Sequence, residues 1–154
     1  MKIIDILNQK KVTLSFEVFP PKTEEALLSV EKATEIIAAL RPDFMSVTYG
    51  AGGGTSKHTT RIAADLEKKY GTNVLAHLTC VSSTRETVFA KIREMQEAGI
   101  ENVMALRGDL TPELEASDRS NWAYRHAIDL IHDIKASGAD FCIVPGDDDA
   151  AMFE

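Results

Sequence analysis

No apolar run in this chain of 154 residues approaches the roughly 20 residues that a membrane-spanning helix requires. The opening stretch, MKIIDILNQKK, has a basic residue and several Ile and Leu, but neither an apolar h-region nor a small-residue cleavage site. It is therefore not a secretory signal, and it reads as a short amphipathic helix. Clustered basic residues are lacking as well. There are 17 Lys and Arg against 24 Asp and Glu, for a formal net charge of −7. That balance argues against a nucleic-acid or anionic-membrane partner, and solubility accounts for it. Cysteine is scarce, and Cys80 and Cys142 stand far apart with no metal-ligand spacing. They read as free, semi-buried thiols of a reducing cytosol, so a cytoplasmic protein without a metal site is expected. No G-x-G-x-x-G follows the first strand-like segment, which removes the dinucleotide-binding fingerprint. There is no Ser–His–Asp pattern.

What is present is an ordinary globular composition, 44% hydrophobic and 27% charged, in a chain long enough for one domain with a real core. A repeating unit emerges from the periods. VTLSFEVF, Val12 to Phe19, is β-branched and aromatic, and prolines end it. From Thr23 to Leu40, a helix capped by Thr23 brings Leu27, Val30, Ala33, Ile37 and Leu40 onto one face. DFMSVTYG is a second strand, closed by a glycine-rich turn. SKHTTRIAADLEKKYG is a helix with Ile62, Ala63 and Leu66 inward, and NVLAHLTCV is a third strand. The next helix opens with a capping box from Ser83 to Glu86 and stops at Gly99. IENVMALRGD is a fourth strand. A polar loop from Thr111 to Ser120 leads to a helix from Asn121 to Ser137, and ADFCIV is a fifth strand.

Strand and helix thus alternate about every 30 residues, the mark of βαβ units on a parallel sheet. Both a doubly wound open sheet and a (β/α)₈ barrel fit. The glycine cluster GAGGG is either a tight turn or a ligand-hugging loop.

In parallel α/β folds ligands bind at the carboxyl ends of the strands. The polar residues that interrupt the apolar strands fall at that end: Glu17; Thr48 with Tyr49 and Gly50; His77 with Thr79; and Arg107, Gly108 and Asp109. A glutamate buried there without a function would carry a desolvation cost, so Glu17 is a candidate for chemistry. Burial would favour its neutral form, which suits a general acid at neutral pH. RGD at a strand end offers a cation, an unobstructed backbone N–H and a carboxylate, a trio that can hold a heterocycle edge or a phosphate. His77 alone reads equally as a satisfied core histidine.

SFEVFPPK, SVTYGAGG, AHLTC and ALRGD, in this order and spacing, resemble the 5,10-methylenetetrahydrofolate reductase family over residues 12–143. The resemblance implies a (β/α)₈ TIM barrel, of which this chain has about the first five strands and four helices. It implies FAD, reduced by NADH or NADPH, and reduction of methylenetetrahydrofolate to 5-methyltetrahydrofolate. Carried over by motif, Glu17 is the acid that protonates the folate and opens its methylene bridge. Asp109 is the aspartate beside the flavin that also contacts the substrate. Arg107, Gly108 and His77 line the FAD, Thr48 lies near nicotinamide and flavin, and Tyr124, opening the fourth helix, contacts FAD.

The chain departs from the family at its end. VPGDDDAAMFE, residues 144–154, replaces a stretch with a tyrosine, a Pro-Glu and a histidine, and three aspartates would repel a diphosphate. Residues 1–143 are therefore expected to form the N-terminal part of the barrel and 144–154 a divergent acidic tail. A shifted reading frame, a cut piece or a short paralogue would each produce this. An open half-barrel exposes a strand edge, so it either lacks catalysis or is completed by self-association or a second chain.

Overall fold

The computed structural model describes residues 1–49, 56–120 and 122–146. The GAGGG cluster at 50–54 and the aspartate run at 147–149 lie outside the described residues. The elements in order are α1 (Ile3–Gln9), β1 (Ser15–Val18), α2 (Glu24–Ala38), β2 (Phe44–Val47), α3 (Ser56–Tyr70), β3 (Val74–Thr79), α4 (Arg85–Ala98), β4 (Asn102–Leu106), α5 (Pro112–Glu115), α6 (Ala127–Ala136) and β5 (Cys142–Pro145). All pairings are parallel, and the strand order is the chain order, β1 to β5.

The two faces of the sheet differ. Val18, Met45, Val47, Val74, Ala76, Leu78, Val103 and Ala105 share one buried cluster with Leu27 of α2, Leu66 of α3, Ile92 of α4 and Leu130 of α6. All four long helices therefore cover the same face. A doubly wound sheet would have helices on both faces. Sequential strands with helices on one side form a barrel wall, which decides between the two architectures. Burying each Leu or Ile against that wall contributes roughly 1.5–3 kcal/mol before entropic costs.

The opposite face is held at its N-terminal end by α1. Ile3 and Ile6 pack on Leu75, with Phe44, Met104 and Val144 around them. Asn102, fully buried, fastens α1 to the strands. Its Oδ1 accepts from the Ile3 N–H at 2.8 Å, and its Nδ2 donates to the Val74 carbonyl at 3.0 Å and the Met1 carbonyl at 3.2 Å. One side chain thus satisfies an orphan N–H in the first turn of the helix and two carbonyls.

Several boundaries differ from the sequence reading. β1 is four residues long, and Val12 and Phe19 outside it are exposed. On α2 the buried residues are Leu27, Thr34 and Ala38; Ala33 is exposed because it lies off that stripe, and Leu40 because α2 stops at Ala38. The cap of α4 is Thr84, not Ser83; its hydroxyl accepts from the Thr87 N–H at 3.2 Å. Gly99 ends that helix as expected, at φ +87°. The loop after β4 contains a one-turn helix capped by Thr111, with Pro112 at its start. α6 begins at Ala127, later than expected. Cys80 is buried and Cys142 half-buried, and neither is in a disulfide.

Removing Asn102 strands the Ile3 N–H and the Val74 carbonyl in a dry place. Asn102→Ala is expected to cost about 1–3 kcal/mol in urea unfolding and to expose the N-terminus to proteolysis. An unchanged unfolding midpoint would show that Asn102 is not what holds α1.

Candidate functional site

The parallel register brings the carboxyl ends of all five strands to one rim. Glu17 pairs with Ser46 across β1 and β2, and Ser46 with Leu75 across β2 and β3. His77 lies two residues further along β3 on the same face, because side chains repeat every second residue. Glu17, Ser46 and His77 are thereby brought together on the face that the long helices leave uncovered. The Ser46 hydroxyl donates to Glu17 Oε2 at 3.3 Å, and His77 Nε2 stands 3.8 Å from the same oxygen.

The burial expected of Glu17 is not found. β1 is an edge of the sheet, and the Glu17 side chain is 45% exposed. The desolvation argument made from the sequence loses its premise, and the ordering of this carboxyl group comes from Ser46 and His77 instead. His77 is the buried member, and among the described residues its Nε2 has no hydrogen-bond partner. Burial pulls the imidazole below its ordinary value, and the Glu17 carboxylate opposes that only in part. The separation is that of an ion pair, yet burial dominates, so His77 is neutral at neutral pH.

After β4 the chain turns sharply. Gly108 has φ +92°, and a Cβ there would stand 2.9 Å from Val81 Cγ1 and 3.0 Å from Thr79 Cβ. Glycine is required at this position by backbone and packing alike. The Arg107 carbonyl accepts from the Val81 N–H at 2.7 Å, which ties the end of β4 to the end of β3. Asp109 then projects exposed at the rim. The Thr48 N–H donates to the Val18 carbonyl, and its own carbonyl accepts from the Thr59 hydroxyl, both at 2.9 Å. Thr48 is thus a rim residue fixed by its backbone.

Tyr124 is placed elsewhere. It precedes α6 instead of opening it, is 1% exposed, and donates its hydroxyl to Asp133 Oδ2 at 2.7 Å. Its ring lies in the buried cluster, and residues around it line a cavity. Beyond the end of β4 lies a cavity of about 350 Å³ lined by Arg107, Arg119, Trp122, Arg125 and His126 among others. The Arg119 guanidinium lies over the Trp122 ring, 5.6 Å from its centre. No carboxylate is among the described residues lining this cavity. Sequence reasoning passed over Arg119, Trp122, Arg125 and His126. The density of arginine and aromatic residues between Arg119 and His126 was the signal available. Among the described residues no group of three His, Cys, Asp or Glu could hold a metal ion, and no helix is long and apolar enough to cross a membrane.

Known proteins resemble this chain over most of its length. A family model described as methylenetetrahydrofolate reductase matches residues 2–145. Methylenetetrahydrofolate reductase (NADH) 1 of Zea mays is 31% identical over 140 residues, which cover 91% of this chain and 24% of that protein. The 5,10-methylenetetrahydrofolate reductases of Salmonella typhimurium and Escherichia coli are 36% and 35% identical, over 68% and 74% of this chain and 35% and 42% of their own lengths. The chain thus spans less than half the length of these relatives.

The depressed His77 value has a signed consequence. The folded state resists protonation at His77, so this contribution to stability is present above the ordinary 6.5 and is lost as pH falls below it. Unfolding free energies of wild type and His77→Gln, measured between about pH 5 and 8, should diverge at the neutral end and converge on acidification. A difference independent of pH would show that folding does not lower the His77 value.

Proposed function

This chain belongs to the methylenetetrahydrofolate reductase family, and on that premise we propose that it forms the N-terminal part of an FAD-dependent barrel enzyme. The reaction is reduction of 5,10-methylenetetrahydrofolate to 5-methyltetrahydrofolate with NADH or NADPH, a step of one-carbon metabolism. The observation that carries the reading is the convergence of Glu17, Ser46 and His77 on one sheet face, at the same rim as Arg107, Gly108 and Asp109.

The donor set fits a phosphorylated flavin. Arg107, Arg119 and Arg125 supply guanidiniums to a cavity that also has an indole, a combination suited to a diphosphate and a flat ring. Thr48, His77, Gly108 and Asp109 would meet the remainder along the rim. When bound, the flavin supplies the two-electron relay between nicotinamide and folate. The chain's own residues do the rest. The Glu17 carboxyl group delivers a proton to a folate nitrogen, which loosens the methylene bridge towards a cationic iminium. The Ser46 hydroxyl then donates to the carboxylate left behind, and neutral His77 adds no competing charge beside it. The Asp109 carboxylate, exposed at the rim, stabilises the developing cation.

FAD added to the 154-residue chain is expected to quench Trp122, and Arg107→Ala to weaken that binding about ten-fold or more. Equal binding by the variant would remove Arg107 from the site. Joined to the remaining barrel, Glu17→Gln should lower folate reduction by about 100-fold or more while flavin binding persists. Undiminished turnover would overturn the assignment of Glu17 as the acid.

A second reading, a non-catalytic module that self-associates or joins a complementing chain, is favoured by the open edges β1 and β5 and by the exposed Val12, Leu14 and Phe19 beside β1. Light scattering should then report a dimer or larger species. A folded monomer at high concentration counts against it.

A further inference from the structure

Tyr124, Asp133 and Arg85 form a connected group that catalysis leaves unexplained. Asp133 on α6 is buried, accepts the Tyr124 hydroxyl at 2.7 Å and stands 3.3 Å from Nε of Arg85, the first residue of α4. A buried carboxylate needs such partners, and here they come from two other parts of the chain. The segment they anchor, Trp122 to His126, contributes three side chains to the cationic cavity, those of Trp122, Arg125 and His126. Three further contacts hold the same segment. Asp129 Oδ2 accepts from the Arg125 N–H at 2.9 Å and the His126 N–H at 3.1 Å, and the Cys80 thiol approaches the His126 carbonyl at 3.9 Å. Burial first, then Asp133, pushes the Tyr124 phenol well up, so its proton stays in the bond. Tyr124 and its neighbours therefore point in opposite directions: the tyrosine into the core, the tryptophan and arginine into the cavity.

We propose that Asp133 and Tyr124 are positioning residues, a buried strut braced by Arg85 that sets the cavity's cationic wall and thereby its affinity for a phosphorylated ligand. This rests on the reading that the cavity receives the flavin's phosphates. The strut explains why α6 starts late. Were Trp122 to His126 helical, their side chains would be drawn round the axis of α6 and away from Arg107.

The test uses the whole chain, whose one tryptophan is Trp122, so that emission reports this segment alone. Wild type, Tyr124→Phe and the double variant Tyr124→Phe/Asp133→Leu are compared by FAD titration, by iodide quenching without FAD, and by melting. The double variant removes both buried partners together and leaves Arg85 solvated, so it should melt close to wild type even if Tyr124→Phe alone is too unstable to study. Its FAD affinity should nevertheless fall about ten-fold, the equivalent of one lost hydrogen bond's worth of placement, and its iodide quenching should change. Wild-type affinity and wild-type quenching in the double variant would overturn the strut, since a merely structural pair moves only the melting point. If wild type binds no FAD while quenching still differs between the proteins, the flavin reading fails and the strut stands.

Discussion

Everything in this chain depends on one constraint, the parallel register of five strands taken in order. It makes every strand end at the same rim, and it sets which residues share a face. Glu17 opposite Ser46, and His77 two places beyond the residue opposite Ser46, follow from that register and from the period of two along a strand. A slip of one residue in β1 would turn Glu17 into the helix-covered core and put Phe16 or Val18 in its place. The hydrophobic alternation forbids the slip. Val18, Met45, Val47 and Ala76 are all inside the same cluster, and none of them could face the rim without leaving it.

The same constraint explains how the site is left open. The long helices cover one face only, and the short α1 fills the other face at the end away from the rim, pinned by Asn102. Between that plug and the strand ends the sheet presents side chains that no helix competes for. A buried asparagine with three bonds is a costly way to attach a helix, but it fixes direction as apolar packing by Ile3 and Ile6 cannot. The open rim and the closed base are two results of one arrangement.

Much of this was legible in the sequence, and the failures have physical causes. Strand and helix types followed from apolar periodicity, and a parallel sheet from their alternation; the choice of a barrel wall needed the strand order and the one-sided helices. Individual boundaries did not. Prolines mark where β1 must end, but nothing local says that pairing starts only at Ser15. Ser83 and Thr84 are both competent caps, and nothing local says that the helix takes Thr84. Glu17 was expected buried because its neighbours are apolar; an edge strand keeps only one side covered, and that is a property of the sheet, not of the segment. Tyr124 was expected to open the fourth helix, and it precedes that helix. Its burial depends on Asp133, nine residues away, a pairing that no local pattern encodes. The cationic cavity was missed because its residues lie in a loop without periodicity.

The charge distribution shows why that cavity must be held by the core. The chain carries −7 overall, a field that repels a diphosphate before it arrives. Attraction has to come from cations close enough to act together, and at usual ionic strength charges more than about 8–10 Å apart are largely screened from each other. Arg107 stands on the rigid end of β4, but Arg119 and Arg125 come from a loop, and long side chains of like charge spread apart unless their backbone is fixed. Stacking on Trp122 gathers Arg119, and the Asp129 carboxylate takes the Arg125 N–H. Each tether ends on α6 or on the segment that α6 holds. A helix whose apolar face lies at the centre of the buried cluster thus lends its rigidity to the loop, and an acidic protein can gather a compact cluster of positive charge at the end of its fourth strand.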